Sequence, residues 1–217
     1  MWVAACQPAR TSLSPTPLPT STSAPPVDLT PAQIGALGAL SDSVGAPLGQ
    51  IAIISTEAVE WPNGCLGVIH DGLVCIAAIT PGFRIVLEAN RLLYEYHTDQ
   101  SGNRVISAAL ALTWHREGAD ICEDVKVYLS GEVYGTSCKA GGAFPVNKLT
   151  TGELKQLTVW AAAFGTTAIE MKDPTAGDTL TTQLLFSGSG TGRPGEADQQ
   201  ALLSWARAIF ERVKPCC

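Results

Sequence analysis

Between Thr80 and Ala108 the chain alternates short β-forming runs with brief turns. FRIVLE is followed by a turn at Ala89-Asn90-Arg91, LLYEYHT by a turn at Asp99-Gln100-Ser101-Gly102, and then NRVISA. Runs joined this closely must pair antiparallel, because a parallel return needs a crossover of about a dozen residues or more. Alternation puts Phe83, Ile85 and Leu87 on one face and sets Tyr94 and Tyr96 on a face with Leu92. The spacing therefore predicts a meander. Tyr94-Glu95-Tyr96-His97 combines apolar bodies with polar tips, which suits a binding face, so Tyr94 and Tyr96 are candidate contact residues.

The flanking segments extend this pattern. Thr30-Pro31-Ala32-Gln33 has a cap, a proline at the first helical position and a glutamine two residues further on, and Ile34, Leu37, Leu40 and Val44 follow at helical spacing. A helix over 30–44 is expected, weakened by Gly35 and Gly38. QIAIISTEAVE (Gln50–Glu60) reads as a strand that breaks at Trp61-Pro62-Asn63-Gly64. In the second half, Val125–Leu129 and Val133–Thr136 form a hairpin about Ser130-Gly131. A helix opens at Thr150-Thr151-Gly152-Glu153, strands follow at Ala168–Lys172 and Thr181–Ser187, and a last helix carries Ala201, Leu202, Trp205, Ile209 and Val213. The fold class is α+β, with two small units of antiparallel sheet and helices. The divisions are a start and tether at 1–29, a helix and meander at 30–112, and a β-β-α-β-β-α unit at 120–217. Residues 113–120 (TWHREGAD) are expected to be a hinge.

Cysteine placement narrows the compartment. Cys65 and Cys75 bracket a glycine-rich loop, and Cys122 and Cys138 bracket the predicted hairpin. Neither pair has the short spacing of a zinc knuckle, and three histidines are too few to complete such sites, so no metal is expected. Two local disulfides fit an oxidising compartment, each worth about 3 kcal/mol in the chain-entropy model. Cys216 and Cys217 read as a frayed end.

Residues 7–28 are dominated by Pro, Ser, Thr and Ala and bury too little apolar surface to fold, so they read as a tether. The tether follows Val3-Ala4-Ala5-Cys6, which resembles the processing site of bacterial lipoproteins, where the cysteine is lipid-modified. The resemblance implies a lipid on Cys6 and membrane attachment through it. A signal peptide needs a basic start and an apolar stretch of about 7–15 residues, and five residues cannot supply them, so either the true start lies upstream of Met1 or the likeness is accidental.

Composition excludes other classes. There are 14 basic and 20 acidic residues, for a net charge of −6, and no Lys/Arg cluster. Nucleic-acid binding requires a basic footprint, so no nucleic-acid partner is expected. No apolar run approaches the length needed to span a bilayer. The run Gly188-Ser189-Gly190-Thr191-Gly192-Arg193 lacks the Gly-Lys-Ser/Thr ending of a phosphate loop and reads as a flexible strand-to-helix connection. His70, His97 and His115 read as isolated surface histidines, since no nucleophile-elbow motif accompanies them. Glu123-Asp124 and Glu57/Glu60 read as solvated strand edges. No cofactor motif is present.

The segments Glu60-Trp61-Pro62-Asn63-Gly64-Cys65-Leu66-Gly67, Cys75, Thr80–Ala89 (TPGFRIVLEA) and Tyr94–Asp99 (YEYHTD) resemble a recurring pattern of uncharacterised bacterial secreted or lipid-anchored proteins. The resemblance covers residues 30 to 106. It implies location at the extracytoplasmic face of the cell envelope and carries no site residues. The expected function is binding of a protein or small-molecule ligand, without catalysis. A protease-inhibitor or propeptide-like module and a hydrolase whose site is not legible are the alternatives. The loop from Trp61 to Thr80 is the expected working surface, because long ordered loops in compact domains are commonly functional. Its candidate contacts are Trp61, Leu66, Val68, Ile69 and His70. Burial of Leu66, Val68, Ile69, Leu73 and Val74 within the monomer would make the loop structural.

Overall fold

The computed structural model describes residues 28–69, 74–118, 120–138, 142–173 and 180–215. Cys6, His70, Leu73, Cys216 and Cys217 lie outside them.

Helix α1 (Pro31–Val44) starts with the expected capping box: the Thr30 hydroxyl accepts from the Gln33 amide and the Gln33 side chain accepts from the Thr30 amide. Its buried side is Ala32, Ala36, Leu37 and Leu40, whereas Ile34 points outward. Gly35 is required by close approach, because a Cβ there would lie 2.7 Å from the Gly102 carbonyl oxygen. A short 3-10 turn at Leu48–Gln50 leads into β1 (Ala52–Trp61). Strands β2 (Thr80–Ala89), β3 (Leu92–Asp99) and β4 (Val105–Ser107) complete an antiparallel sheet in the order β1-β2-β3-β4. The meander expected from the turn spacing is thus present.

Tyr94 and Tyr96 are core residues and form no part of a binding surface. Both share a face with Leu92, Ile85 and Leu87, and α1 packs on that face, leaving the two tyrosines 0% and 2% exposed. Burial pushes the Tyr94 phenol up to about 12 and raises Tyr96 further.

The second sheet begins after only Ala108 and Ala109. It contains β5 (Leu110–Gly118), β6 (Ile121–Tyr128), β7 (Glu132–Ser137), β8 (Gly142–Ala143), β9 (Asn147–Lys148), β10 (Thr167–Asp173) and β11 (Leu180–Phe186). The order is β10-β11-β5-β6-β7-β8, with β9 also on β7, and all pairs are antiparallel. The expected hinge at 113–120 is therefore largely strand. Its charged residues mask a period-two pattern in which Trp114, 2% exposed, faces inward between Thr113 and His115.

Helix α2 (Thr151–Ala163) carries the second capping box, between Thr150 and Glu153, and α3 (Glu196–Val213) lies across β5, β6 and β7. The α3 stripe of Leu202, Leu203, Ala206, Ile209, Phe210 and Val213 is buried, with Phe210 5.5 Å from the Trp114 ring, while Ala201 lies outside it. Buried side chains of both sheets and all three helices form one continuous cluster.

The glycine-rich run at 188–192, expected to be a flexible connection, is a close-packed cap on α2. Ser189 and Gly190 amides donate to the Ala161 carbonyl, the Gly190 amide also to Phe164, and the Gly192 amide to Ala163, over 2.8–3.2 Å. These bonds satisfy carbonyls that a helix end otherwise leaves open. A Cβ on Gly190 would lie 2.2 Å from the Ala163 carbonyl carbon, so the backbone approach excludes a side chain.

Candidate functional site

The loop between β1 and β2 is held at one end by Trp61. This residue closes β1, opposite Thr80, and its indole is 4% exposed. The ring stacks on His97 with centroids 4.0 Å apart and planes at 20°, and Nε1 donates to the Thr98 carbonyl at 2.9 Å. Gly82 makes this possible, since a Cβ there would come within 2.7 Å of the indole nitrogen and collide with the Thr98 carbonyl. The chain then turns at Pro62-Asn63, where Asn63 Oδ1 accepts from the amides of Cys65 and Gly67. Leu66 (φ 54°) and Gly67 (φ 75°) adopt left-handed backbone, which turns the Leu66 side chain inward to full burial.

His97 is the pin of this arrangement, not an isolated surface residue. Its Nδ1 donates to the Leu66 carbonyl at 2.7 Å, and its Nε2 lies 2.7 Å from Glu95 Oε1. Glu95 also meets Arg84 at 3.5 Å, Arg84 meets Glu57 at 3.1 Å, and the Arg84 guanidinium stands 5.9 Å from the Trp61 ring centroid. The chain of contacts Glu57–Arg84–Glu95–His97–Leu66 thus ties three strands to the loop. Arg84, Glu57 and Glu95 escaped the sequence reading because their alignment depends on register: Arg84 stands opposite Glu57 on β1 and opposite His97 on β3. Glu95 and His97, two apart on one strand face, were the one local signal available.

The disulfide Cys65–Cys75 closes the loop with a Cα separation of 5.4 Å, and the Gly64 amide donates to the Ile76 carbonyl at 2.8 Å. The candidate contacts divide on either side of it. Trp61, Leu66 and Val68 are buried and anchor the loop, so they are unavailable as contact residues. Ile69 is 67% exposed and Val74 93%, and they are joined by Ile76 and Ile79, which the sequence reading passed over. Among its described residues the loop is therefore half core and half exposed aliphatic surface.

A second titratable group lies on the open face of the larger sheet. His115 Nδ1 is 2.7 Å from Asp124 Oδ1, and Nε2 is 3.4 Å from Glu117. Burial pulls the imidazole down, but the Asp124 hydrogen bond and charge, with Glu117 behind them, outweigh it and leave the pKa raised. Thr136 donates to the other Asp124 oxygen at 3.4 Å. His115 is thus a paired residue on β5. Glu123, expected at a solvated edge, points to the opposite face, buried with Arg116 at 3.4 Å and Lys214 at 3.6 Å. Among the described residues no group of three His, Cys, Asp or Glu is placed to hold a metal ion.

Residues 35–107 match the model of a domain of unknown function, DUF8738. The matched region runs from within α1 to the end of β4, and so includes the first sheet, the pinned loop and the Cys65–Cys75 bridge. No curated protein and no solved structure matches the chain. The second bridge, Cys122–Cys138, joins the start of β6 to the residue after β7 with a Cα separation of 5.6 Å. Two disulfides point to an oxidising, extracytoplasmic environment. No helix among the described residues is long and apolar enough to cross a membrane.

Proposed function

We propose that this is a binding protein of the bacterial cell envelope, tethered by a lipid on Cys6, that meets a protein partner through the exposed half of the loop after Trp61. The observation that carries the proposal is the pairing of exposure with rigidity. Ile69, Val74, Ile76 and Ile79 are 67–93% exposed, yet the described segments of the loop bearing them are held by Leu66, Trp61, His97 and a disulfide. Clustered exposed aliphatic side chains favour association, and a loop already ordered loses less conformational entropy when a partner covers it. The box at Val3–Cys6 and the Ser/Thr/Pro-rich stretch supply the tether, and the disulfides are consistent with the compartment.

A photo-crosslinking residue placed at Ile76, in cells expressing the protein from its natural start, tests the surface. Discrete adducts are expected at Ile76 and not at Val159, which is exposed on α2. Adducts equal at the two positions, or none at Ile76, would overturn the surface. Cys6→Ser is expected to shift the protein from the membrane to the soluble fraction, and retention in the membrane would remove the anchor.

A further inference from the structure

A groove of about 820 Å³ opens between the outer side of α1 and the approach to β1. Ile34, Leu37 and Gly38 line it from α1, and Leu48, Gly49 and Ile51 from the segment before β1, joined by Leu29 and Ile53. The lining is wholly aliphatic or glycine. Ile34 and Leu48 are 57% and 58% exposed within it. The volume falls in the range of about 300–1,000 Å³ typical of ligand sites.

The two glycines are the informative residues. Gly35, one turn earlier, is explained by the Gly102 carbonyl against it. Gly38 has no such reason. A Cβ at Gly38 or at Gly49 would meet nothing within 4 Å, and neither has a left-handed φ. Glycine is the poorest helix former after proline, so nothing in the packing or the backbone calls for it in the middle of α1. What its absent side chain does is leave the groove open.

We propose that this groove holds one acyl chain of a lipid taken from the membrane to which the protein is tethered, a proposal that rests on the anchored reading of Cys6. No lining side chain carries a donor, acceptor or charge, which suits a hydrocarbon. A peptide would bring backbone amides that find no side-chain partner there. The tether supplies the source. Leu29, in the groove's lining, directly follows residues 7–28, and 22 residues reach at most about 80 Å when fully extended. A lipid on Cys6 therefore keeps the groove within reach of one leaflet and of the acyl chains in it.

Calorimetry on the full chain carrying Cys6→Ser tests the groove independently of lipidation. Octanoate, decanoate and dodecanoate are expected to bind one per chain, tightening about fourfold per added methylene. Dodecanol is expected to bind within about threefold of dodecanoate, because the lining has no cation for the carboxylate. Gly38→Leu, whose Cβ meets nothing within 4 Å and whose side chain enters the groove, should weaken dodecanoate at least about tenfold while the melting temperature holds. Ile34→Asp, at an exposed position, should do the same. Native mass spectrometry of the unmodified sequence purified from membranes should show one phospholipid per chain, absent in Gly38→Leu. The proposal is overturned by any of four results. These are no saturable binding below micelle formation, dodecanoate binding untouched by both variants, a free fatty acid in place of phospholipid, or a dimer that Gly38→Leu dissociates, which would make a second copy the occupant. Since Cys6 is absent from the calorimetric chain, a failure there leaves the anchor standing. An unlipidated Cys6 in cells would instead count against the anchor and the membrane source together.

Discussion

Removing the Leu66 side chain should unpin the loop while leaving both sheets folded. Leu66 is fully buried, so Leu66→Ala forfeits transfer free energy and leaves a void, together about 2–4 kcal/mol for a site whose backbone can partly relax. The loss falls on local docking because the Cys65–Cys75 bridge and the sheet pairing survive it. Three amides report on docking: Gly64 donates to Ile76, Leu66 to Asn63 and Val68 to Cys65. At 1.4 kcal/mol per decade, their hydrogen exchange should accelerate about 30- to 700-fold. Amides of Ile85 and Tyr94 in the sheet should keep their protection. Ile69→Ala is the control: its side chain is exposed, so the same amides should exchange at the original rate. Exchange measured by NMR under native conditions decides the matter. Acceleration below tenfold at Gly64, Leu66 and Val68 would refute Leu66 as the pin. Equal acceleration across β2 and β3 would refute the loop as a separate unit.

The glycine cap on α2 makes Gly190→Ala destabilising by about 2–4 kcal/mol, because the displaced run loses several hydrogen bonds worth about 1 kcal/mol each. Urea unfolding should show this, and a change under about 0.5 kcal/mol would mean that the run is not a cap. Asp124→Asn should lower the His115 pKa toward its ordinary value, read from the imidazole shifts by NMR. Because the folded-state pKa is raised, the pair's stabilisation is full below about pH 6.5 and disappears as pH climbs through the raised value. The wild-type advantage over Asp124→Asn should follow that course, and should be modest because the imidazole is partly solvated. An advantage that grows with pH would contradict the assigned cause.

Local signals proved readable and covered signals did not. The capping boxes at Thr30 and Thr150, the meander turns and both cysteine pairs depend on residues within about 20 positions of one another, and all are present. Alternation placed Tyr94 and Tyr96 beside Leu92 correctly but could not tell which face α1 would cover. That choice turned a supposed binding face into core. Period-two reading failed at 113–118 because charged residues occupy both faces: His115 pairs with Asp124 and Glu117 on one, and Arg116 pairs with Glu123 on the other. The glycine run looked flexible because its partners, the carbonyls of Ala161, Ala163 and Phe164, lie 26 to 29 residues earlier. His97 looked solitary because Leu66 is 31 residues distant in the chain. Of the loop itself, the sequence showed the aliphatic content and not its division into anchor and exposed side chains.

The two proposed surfaces occupy opposite ends of one strand, which orients the molecule. The groove reaches Ile53 at the start of β1, and the loop begins at Trp61 at its end. Eight residues of strand separate them, about 26 Å at the usual rise. Pairing with β2 from Ala52 opposite Glu88 to Trp61 opposite Thr80, with one bulge between Ile53 and Ser55, makes β1 a stiff spacer. The faces differ as well. Ile53 stands opposite Leu87 on the side where α1 packs, whereas Arg84, Glu57 and His97 line the other side. A chain tethered next to Leu29 and holding a lipid in the groove would therefore rest with the start of β1 toward the leaflet. Its pinned loop, with Ile69, Val74, Ile76 and Ile79, would then project away from the bilayer toward a partner. In that arrangement the membrane end and the partner end can be disabled separately, and Gly38→Leu should leave the Ile76 adduct intact just as Leu66→Ala leaves dodecanoate binding intact. Loss of both functions from either single variant would show that the two surfaces are one.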